Sequence, residues 1–447
     1  MIIHSSYGMR IKGVNLCLVP TLEMYRRAVD FLIDVALAHR TEIPSDSKEA
    51  RTFMERLTIK TRKRPSVPYD FSHHFYKFPS YLRRSAIAAA LGAVRSWSTR
   101  YANWESSGKK GTEPGSPKAG FSFPVLYRKG CFEWKNTYTA RIKVFIRNTW
   151  DWMDIRLDKS DVDYVIRHCS QREEQCPMLV RKGRKWFLNF SYEESVRLPA
   201  LPLTHTAVGV DLGVDHACVC SAMNSDGTVS ARGFLNLAEE EDCLMKALGQ
   251  IKNAQRHGSR KMPRLWKYAN GRNRDIAHRT AKYIVDFAVA HNASVIVFEH
   301  LAFKGKRYGS RAQRLHLWKK MEVQRIVTDR AHRLGIHIHH VNPRGTSALA
   351  FDGSGPIVRD EHNYSVCTFT SGKQYDADLS ASYNIGARYF IRELQKSISE
   401  RIKKNLLPEG VWHDMEAKVP SCSSGVTRTL STLINLRAAM DSLSVSC

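Results

Sequence analysis

The sequence predicts a mixed α/β protein, strand-rich with inserted helices in its first half and alternating strands and helices in its second. Three observations carry this expectation. Two nearly all-apolar runs, Thr206-Ala-Val-Gly-Val-Asp-Leu-Gly and Ala293-Ser-Val-Ile-Val-Phe-Glu, read as buried strands that end on carboxylates. The stretch Asp378-Leu-Ser-Ala-Ser-Tyr-Asn-Ile-Gly is amphipathic with helical spacing. Between residues 121 and 198, short alternating or β-branched segments recur.

Taken in order, strand patterns cover 7–11 and 14–19. From Thr21 a helix is expected, because Leu22, Tyr25, Ala28, Val29, Leu32, Ile33 and Ala36 recur at three- and four-residue steps. Another helix runs from Ser80 through Trp97, and the Gly/Ser/Lys/Pro-rich segment 106–120 reads as a linker or long loop. Strands follow at 138–146, 178–181 and 185–192. Residues 1–20 and 121–200 thus suggest a small β-barrel, with 21–120 inserted as helices. Leu198-Pro-Ala-Leu-Pro-Leu-Thr-His is a proline-bearing hinge into the second half.

That half, 205–395, reads as a strand at 207–212, then a hairpin of 217–222 and 229–234 turning through Asn224-Ser-Asp-Gly. Two helices, a strand at 294–298, a helix at 311–334, a strand at 336–341, a loop and a helix at 378–394 complete it. This order is that of an RNase H-like α/β fold, in which the first strand is central and the fourth lies beside it. Asp211 and Glu299 would then be neighbours, and the last helix would bring Asp378 to them.

Carboxylates at the ends of apolar strands are costly to bury unpaired. Three within reach cannot all stay ionised without a cation, and hard oxygen ligands select Mg²⁺ or Mn²⁺. Two such ions can activate a water and stabilise a leaving oxygen in phosphodiester cleavage. Each acid alone could instead be a strand-end or helix-capping carboxylate. Asp378 could cap the helix it opens, and Asp376 could do either job.

Composition bounds the partners. At 447 residues the chain exceeds a single typical core, so two or three domains are expected. Its 69 basic and 43 acidic residues leave a net charge of +26, a self-repulsion that a polyanion relieves, so nucleic acid is the expected partner. No apolar stretch approaches the roughly 20 residues that span a bilayer. The first residues also lack the basic-then-apolar plan of a secretion signal. A cytosolic protein without a membrane partner is expected. None of the ten cysteines forms a CxxC pair, so reduced thiols and no structural zinc are expected.

Basic stretches at 252–282 and at Lys304-Gly-Lys-Arg-Tyr-Gly-Ser-Arg are interleaved with Trp266, Tyr268, Tyr308 and Trp318, which suggests a groove that tracks a nucleic-acid strand. Lys304, Lys306, Arg307, Arg311 and Trp318 are its candidate contacts. Arg344, after the fifth strand, could contact the scissile phosphate or be a surface arginine.

Gly209-Val-Asp-Leu-Gly-Val-Asp, Val297-Phe-Glu-His-Leu and Tyr375-Asp-Ala-Asp-Leu-Ser-Ala-Ser-Tyr-Asn-Ile-Gly resemble the three RuvC motifs of TnpB, the transposon-encoded RNA-guided nucleases, and of compact type V CRISPR effectors. Trp318 and Val341-Asn-Pro-Arg-Gly-Thr-Ser fit the family's order, and Phe78-Pro-Ser-Tyr-Leu-Arg-Arg-Ser-Ala-Ile-Ala resembles its recognition-lobe helix. The resemblance implies a wedge-like barrel at 1–20 and 121–200, a recognition lobe at 21–120 and a RuvC-like nuclease domain at 205–395. It implies an RNA-guided DNA endonuclease with Mg²⁺ on Asp211, Glu299 and Asp378, acting beside a short flanking DNA motif. A transposon- or CRISPR-derived guide RNA and target double-stranded DNA would be the partners. Asp378 is preferred to Asp376 because it stands where the family's ligand precedes a Leu-Asn-Ala-type helix start.

Two departures stand out. The family's two CxxC pairs belong to an insert that binds target nucleic acid, here at about 346–374. That stretch starts Thr346-Ser-Ala-Leu-Ala-Phe-Asp-Gly and keeps only Cys367, so a metal-free loop is expected. Ser380 replaces the usual Asn. Residues 396–447 extend past the nuclease core without an assigned role. Rival readings are a guide-independent RNase H-fold transposase or resolvase, and a nuclease-dead RNA-guided regulator. All three acids stand at their motif positions, which speaks against the second.

Overall fold

Alternating side chains build the first sheet. In β1 (Ile2–Lys12), Ile3, Met9 and Ile11 are buried while most of their neighbours are not. The computed structural model describes residues 1–13, 18–202, 204–213, 216–259, 261–300, 320–361, 363, 365–403 and 428–444. They form two compact units, Met1–Ser195 and Val196–Cys447.

In the first unit, α1 (Val19–Ala38) starts with Pro20 in its first turn, where a fixed φ and a missing N–H suit a helix. The strand expected at 14–19 is therefore corrected at its end: Val19 is helical, and 14–17 lie outside the described residues. Next come α2 (Ser47–Thr58), capped by the Asp46 carboxylate, α3 (Phe71–His74) and α4 (Ser80–Ser106). Leu32 and Ile33 of α1 and Ala86, Ile87 and Ala90 of α4 belong to one buried cluster. The remaining strands are β2 (Phe132–Asn136), β3 (Thr139–Ile146), β4 (Thr149–Leu157), β5 (Glu173–Glu174), β6 (Met178–Lys182) and β7 (Lys185–Ser195). A helix absent from the sequence reading, α5 (Lys159–Cys169), interrupts them. The sheet runs β2-β3-β4-β1-β7-β5, with β6 also on β7. Where a small β-barrel was expected, the sheet is a half-barrel: two short strands, β6 and then β5, share the second edge of β7, and the path ends there.

The second unit contains β8 (Thr206–Asp211), β9 (Cys218–Met223), β10 (Val229–Leu235), α6 (Ala238–Arg256), α7 (Pro263–Ala290) and β11 (Ala293–Glu299). Then come α8 (Lys320–Arg333), β12 (His337–Val341), β13 (Val358–Arg359), β14 (Val366–Thr368), β15 (Gln374–Asp376), α9 (Ala377–Lys403) and α10 (Leu430–Ser444). The main sheet is ordered β10-β9-β8-β11-β12, so the first strand of the unit is central. β8 to β10 are antiparallel, and β11 and β12 are parallel to β8 and to each other.

Strand periodicity sorts the two faces. Val208, Val210, Ile296 and Phe298 pack with Ala281 and Ile284 of α7 and Val327 of α8. Ala207, Val295 and Val297 pack with Tyr383 and Ile391 of α9 and Leu433 of α10. Gly209 is required on this second face: a Cβ there would collide with the Ser382 carbonyl and lie 2.8 Å from the Gly386 nitrogen. The backbone of α9 therefore lies directly on β8.

The stretch 346–374 is more than the loop expected from its missing cysteines. It contributes to a small antiparallel sheet, β13-β14-β15, in which the buried Cys367 thiol donates to the Tyr375 carbonyl at 3.3 Å. Among the described residues, no helix is long and apolar enough to cross a membrane.

Candidate active site

The alternation that places Ala207 and Gly209 toward α9 places Asp211 there too, and Glu299 follows Val295 and Val297 on the same face of β11. Pairing of Phe298 with Val210 sets the ends of the two strands side by side. Because α9 crosses β8 at Gly209, its first turn carries Asp378 to the same place.

Asp211 and Asp378 are each 8 % exposed. Burial pushes the Asp211 carboxyl up to about 8; the charges of Glu299 and Asp378 add to the rise, and Lys320 and Arg359 oppose it. Arg359 of β13 lies with Nη1 3.9 Å from Asp378 Oδ1. A side chain at residue 213 would not fit here, since a Cβ would sit 2.8 Å from Asp378 Oδ2. Glu299 accepts a hydrogen bond on Oε1 from the Thr346 hydroxyl, and its carbonyl accepts from Gln324 Nε2 at 3.0 Å.

The two aspartates differ in what they bond to. Asp376 Oδ1 accepts from the Leu379 N–H at 2.7 Å, so Asp376 caps α9. Asp378 is thereby left to interact with Asp211.

Three carboxylates are the donor chemistry of a hard divalent cation. Burial first, and then the charges of Glu299 and Asp378, raise the proton affinity of Asp211. Among the described residues, no three His, Cys, Asp or Glu side chains stand close enough together to form a ready-made metal site. The acids converge electrostatically, with Glu299 engaged by Thr346 and Asp378 by Arg359.

Arg344 is exposed in the turn after β12. Among the described residues, Lys320 and Arg359 are cations whose fields reach Asp211, and the sequence reading did not single them out. Lys304, Lys306, Arg307, Arg311 and Trp318 lie outside the described residues. Of the other basic stretch, Arg264, Lys267, Tyr268 and Arg272 line a groove of about 530 Å³ on α7. Thr346 was visible as part of Asn-Pro-Arg-Gly-Thr-Ser, though not as the partner of Glu299. Arg388, a charge inside the apolar run Ile385-Gly-Ala-Arg-Tyr-Phe-Ile, carried a signal that was missed. Arg359 carried none, because the small sheet that presents it has no strong pattern.

A model of the Aq_aa04 family matches residues 5–146. The chain is 27% identical over 239 residues to a CRISPR-associated endodeoxyribonuclease Cas12f1 of Sulfoacidibacillus thermotolerans, covering 50% of this chain and 54% of that one. It is 24% identical over 191 residues to the TnpB-like protein aq_aa05 of Aquifex aeolicus, covering 38% of this chain and 61% of the relative. The chain thus matches less than two thirds of the length of either. The resemblance read from the three motifs is supported: the chain is similar in sequence to TnpB-like and compact type V proteins. Among solved structures, a Cas12f1–sgRNA–target DNA complex aligns with a TM-score of 0.31 at 14% identity, over 86% of this chain and 99% of that one. CasPhi-2 bound to crRNA aligns with a TM-score of 0.43 at 9% identity, over 88% and 98%. Likenesses this low carry no argument about mechanism.

Proposed function

We propose that the protein is an RNA-guided DNA endonuclease whose second unit is an RNase H-like, RuvC-type nuclease domain. The observation that carries this reading is the placement of three acids, Asp211 and Glu299 at the ends of the paired strands β8 and β11 and Asp378 in the first turn of the helix packed on β8, with Asp211 buried in the field of the other two. The sheet order with β8 central supports the fold assignment, and the relatives named Cas12f1 and TnpB-like support the activity. The guide RNA comes from that similarity; the net charge of +26 supports polyanionic partners in general. The half-barrel strands and the helices of the first unit would form the wedge and recognition lobe that read a flanking DNA motif. The site of action would be the prokaryotic cytosol, where the DNA is.

Asp211, Glu299 and Asp378 would hold Mg²⁺ or Mn²⁺. When bound, such ions supply the positive charge that activates a water and stabilises the leaving oxygen of a phosphodiester. The residues of the chain orient the site. Asp211 lies in the field of both other acids, Thr346 fixes one oxygen of Glu299, and Asp376 caps α9. Arg359 and Lys320 provide positive charge that reaches Asp211 and would attract a phosphate.

The decisive experiment is purification at mild salt, sequencing of the bound RNA, and a cleavage assay on DNA complementary to it. Specific RNA and Mg²⁺-dependent cutting are expected. Absence of bound RNA together with cutting would instead favour a guide-independent transposase or resolvase.

A further inference from the structure

Arg388 is 8 % exposed on the buried side of α9. Its Nη1 donates to the carbonyls of Asn342 at 2.7 Å and Arg344 at 2.9 Å, and its Nε to that of Arg428 at 3.0 Å. Its Nη2 is buried without a hydrogen-bond partner. Burial lowers the guanidinium to about 10, and the charge of Glu299 opposes that fall, so the two groups feel each other.

One turn earlier, Asn384 Nδ2 donates to the carbonyls of Thr346 at 3.1 Å and Leu349 at 2.9 Å, while its Oδ1 accepts from the Leu430 N–H at 3.2 Å. The Ser431 N–H donates to the Phe351 carbonyl at 2.9 Å. The segment 342–351 is therefore pinned between α9 and the start of α10. Thr346, whose hydroxyl holds Glu299, lies in its middle. Helix α10 is itself fixed by Leu433 and Leu436 in the core and by Arg437 Nε on the Ser225 carbonyl at 2.8 Å.

We propose that Arg388 is a positioning residue for Glu299 and that the C-terminal helix α10 holds it in place. Residues 428–444 are then part of the support of the carboxylate site. Arg388 acts in two ways: its hydrogen bonds set the loop that aims Thr346, and its unpartnered Nη2 places fixed positive charge in the field of Glu299. This rests on the reading of Glu299 as a cation-holding carboxylate.

The test uses the full-length protein and Mn²⁺ alone, with free Mn²⁺ measured by electron paramagnetic resonance. Arg388→Lys keeps the charge but loses the fork, and is expected to weaken Mn²⁺ binding about tenfold, the usual effect of removing a residue that orients a ligand. Amide exchange over 342–350 in the metal-free protein should rise in the same variant. Thr346→Val should weaken binding similarly, Thr346→Ser should not, and the Arg388→Lys/Thr346→Val pair should fall short of additivity. Unchanged Mn²⁺ affinity in Arg388→Lys, or full additivity, overturns the proposal. If Arg388→Lys lowers the melting temperature too far to be read, Leu433→Ala loosens α10 without touching the loop. Wild-type Mn²⁺ affinity and exchange in that variant overturn the proposal equally. Glu299→Gln separates the two levels. Wild-type Mn²⁺ binding in it removes the carboxylate reading itself, whereas loss there with retention in Arg388→Lys removes only the positioning role.

Discussion

Among the described residues, the unit Met1–Ser195 fully buries three polar side chains, the hydroxyls of Thr21, Thr58 and Ser85. Each is satisfied: Thr21 accepts from the Phe145 N–H, Thr58 donates to the Met54 carbonyl, and Ser85 pairs with the Tyr25 hydroxyl. The unit Val196–Cys447 buries two carboxylates and a guanidinium as well, Asp211, Asp378 and Arg388. One of these holds a proton far above the ordinary carboxylate range, and another leaves a donor unpaired. Satisfied hydroxyls lock a core together. Buried charges in conflict weaken one, and a fold that keeps them points to chemistry at that place.

The contrast breaks most sharply at Asp211. Asp211→Ala should cut DNA cleavage by about 10³-fold or more while leaving RNA-dependent DNA binding intact in a gel-shift assay. Retained cutting would sink the site assignment. In the first unit, Leu32→Ala removes an apolar side chain with no exposed surface. Denaturant melts should show a loss of about 2–5 kcal/mol. Cleavage by the protein that remains folded should be unaffected.

A third prediction concerns the sign of the Asp211 proton. Unfolded, this carboxyl titrates near the usual value of about 4; folded, it titrates at about 8. Between those values the native state holds more protons, so raising the pH through this window weakens the fold. Asp211→Asn removes the penalty. In the presence of a chelator its melting temperature at pH 8 should exceed that of the wild type by roughly 5 °C. The gap should close toward pH 4. A gap that is absent, or that widens with acid, would refute the raised proton affinity of the buried Asp211. The smallest expected effect lies in the first unit: Ser85→Ala deprives the Tyr25 hydroxyl of its partner and should cost about 1–3 kcal/mol at any pH between 5 and 8.

Much of the second unit was legible because its strands are buried on both faces. Runs such as Ala293-Ser-Val-Ile-Val-Phe-Glu leave little alternative to a central strand, and Asn224-Ser-Asp-Gly forms the turn it suggests, with Gly227 at φ +93°. The first unit was less so. Helix α5 is short, 11 residues, with Asp161, Asp163, Arg167 and His168 interleaved among its apolar positions, and it went unread between the strands around it. Closure of the barrel could not be read at all, since it depends on which strand takes the last edge of β7.

By itself the sequence determined which residues carry charge at the ends of apolar strands, a net charge that favours a polyanionic partner, and the family that the three motifs resemble. Local pattern and charge balance suffice for these, because they are properties of neighbouring residues or of the whole chain. Only the tertiary structure decided that Asp376 caps a helix while Asp378 joins Asp211. It also decided that Arg359 and Lys320 carry positive charge felt by Asp211, and that residues 428–444 return to hold the loop beside Glu299. Those decisions rest on contacts between segments far apart in the chain. Helix α9 can approach β8 only because Gly209 leaves room for it, and that single close approach brings Asp378 into the field of Asp211.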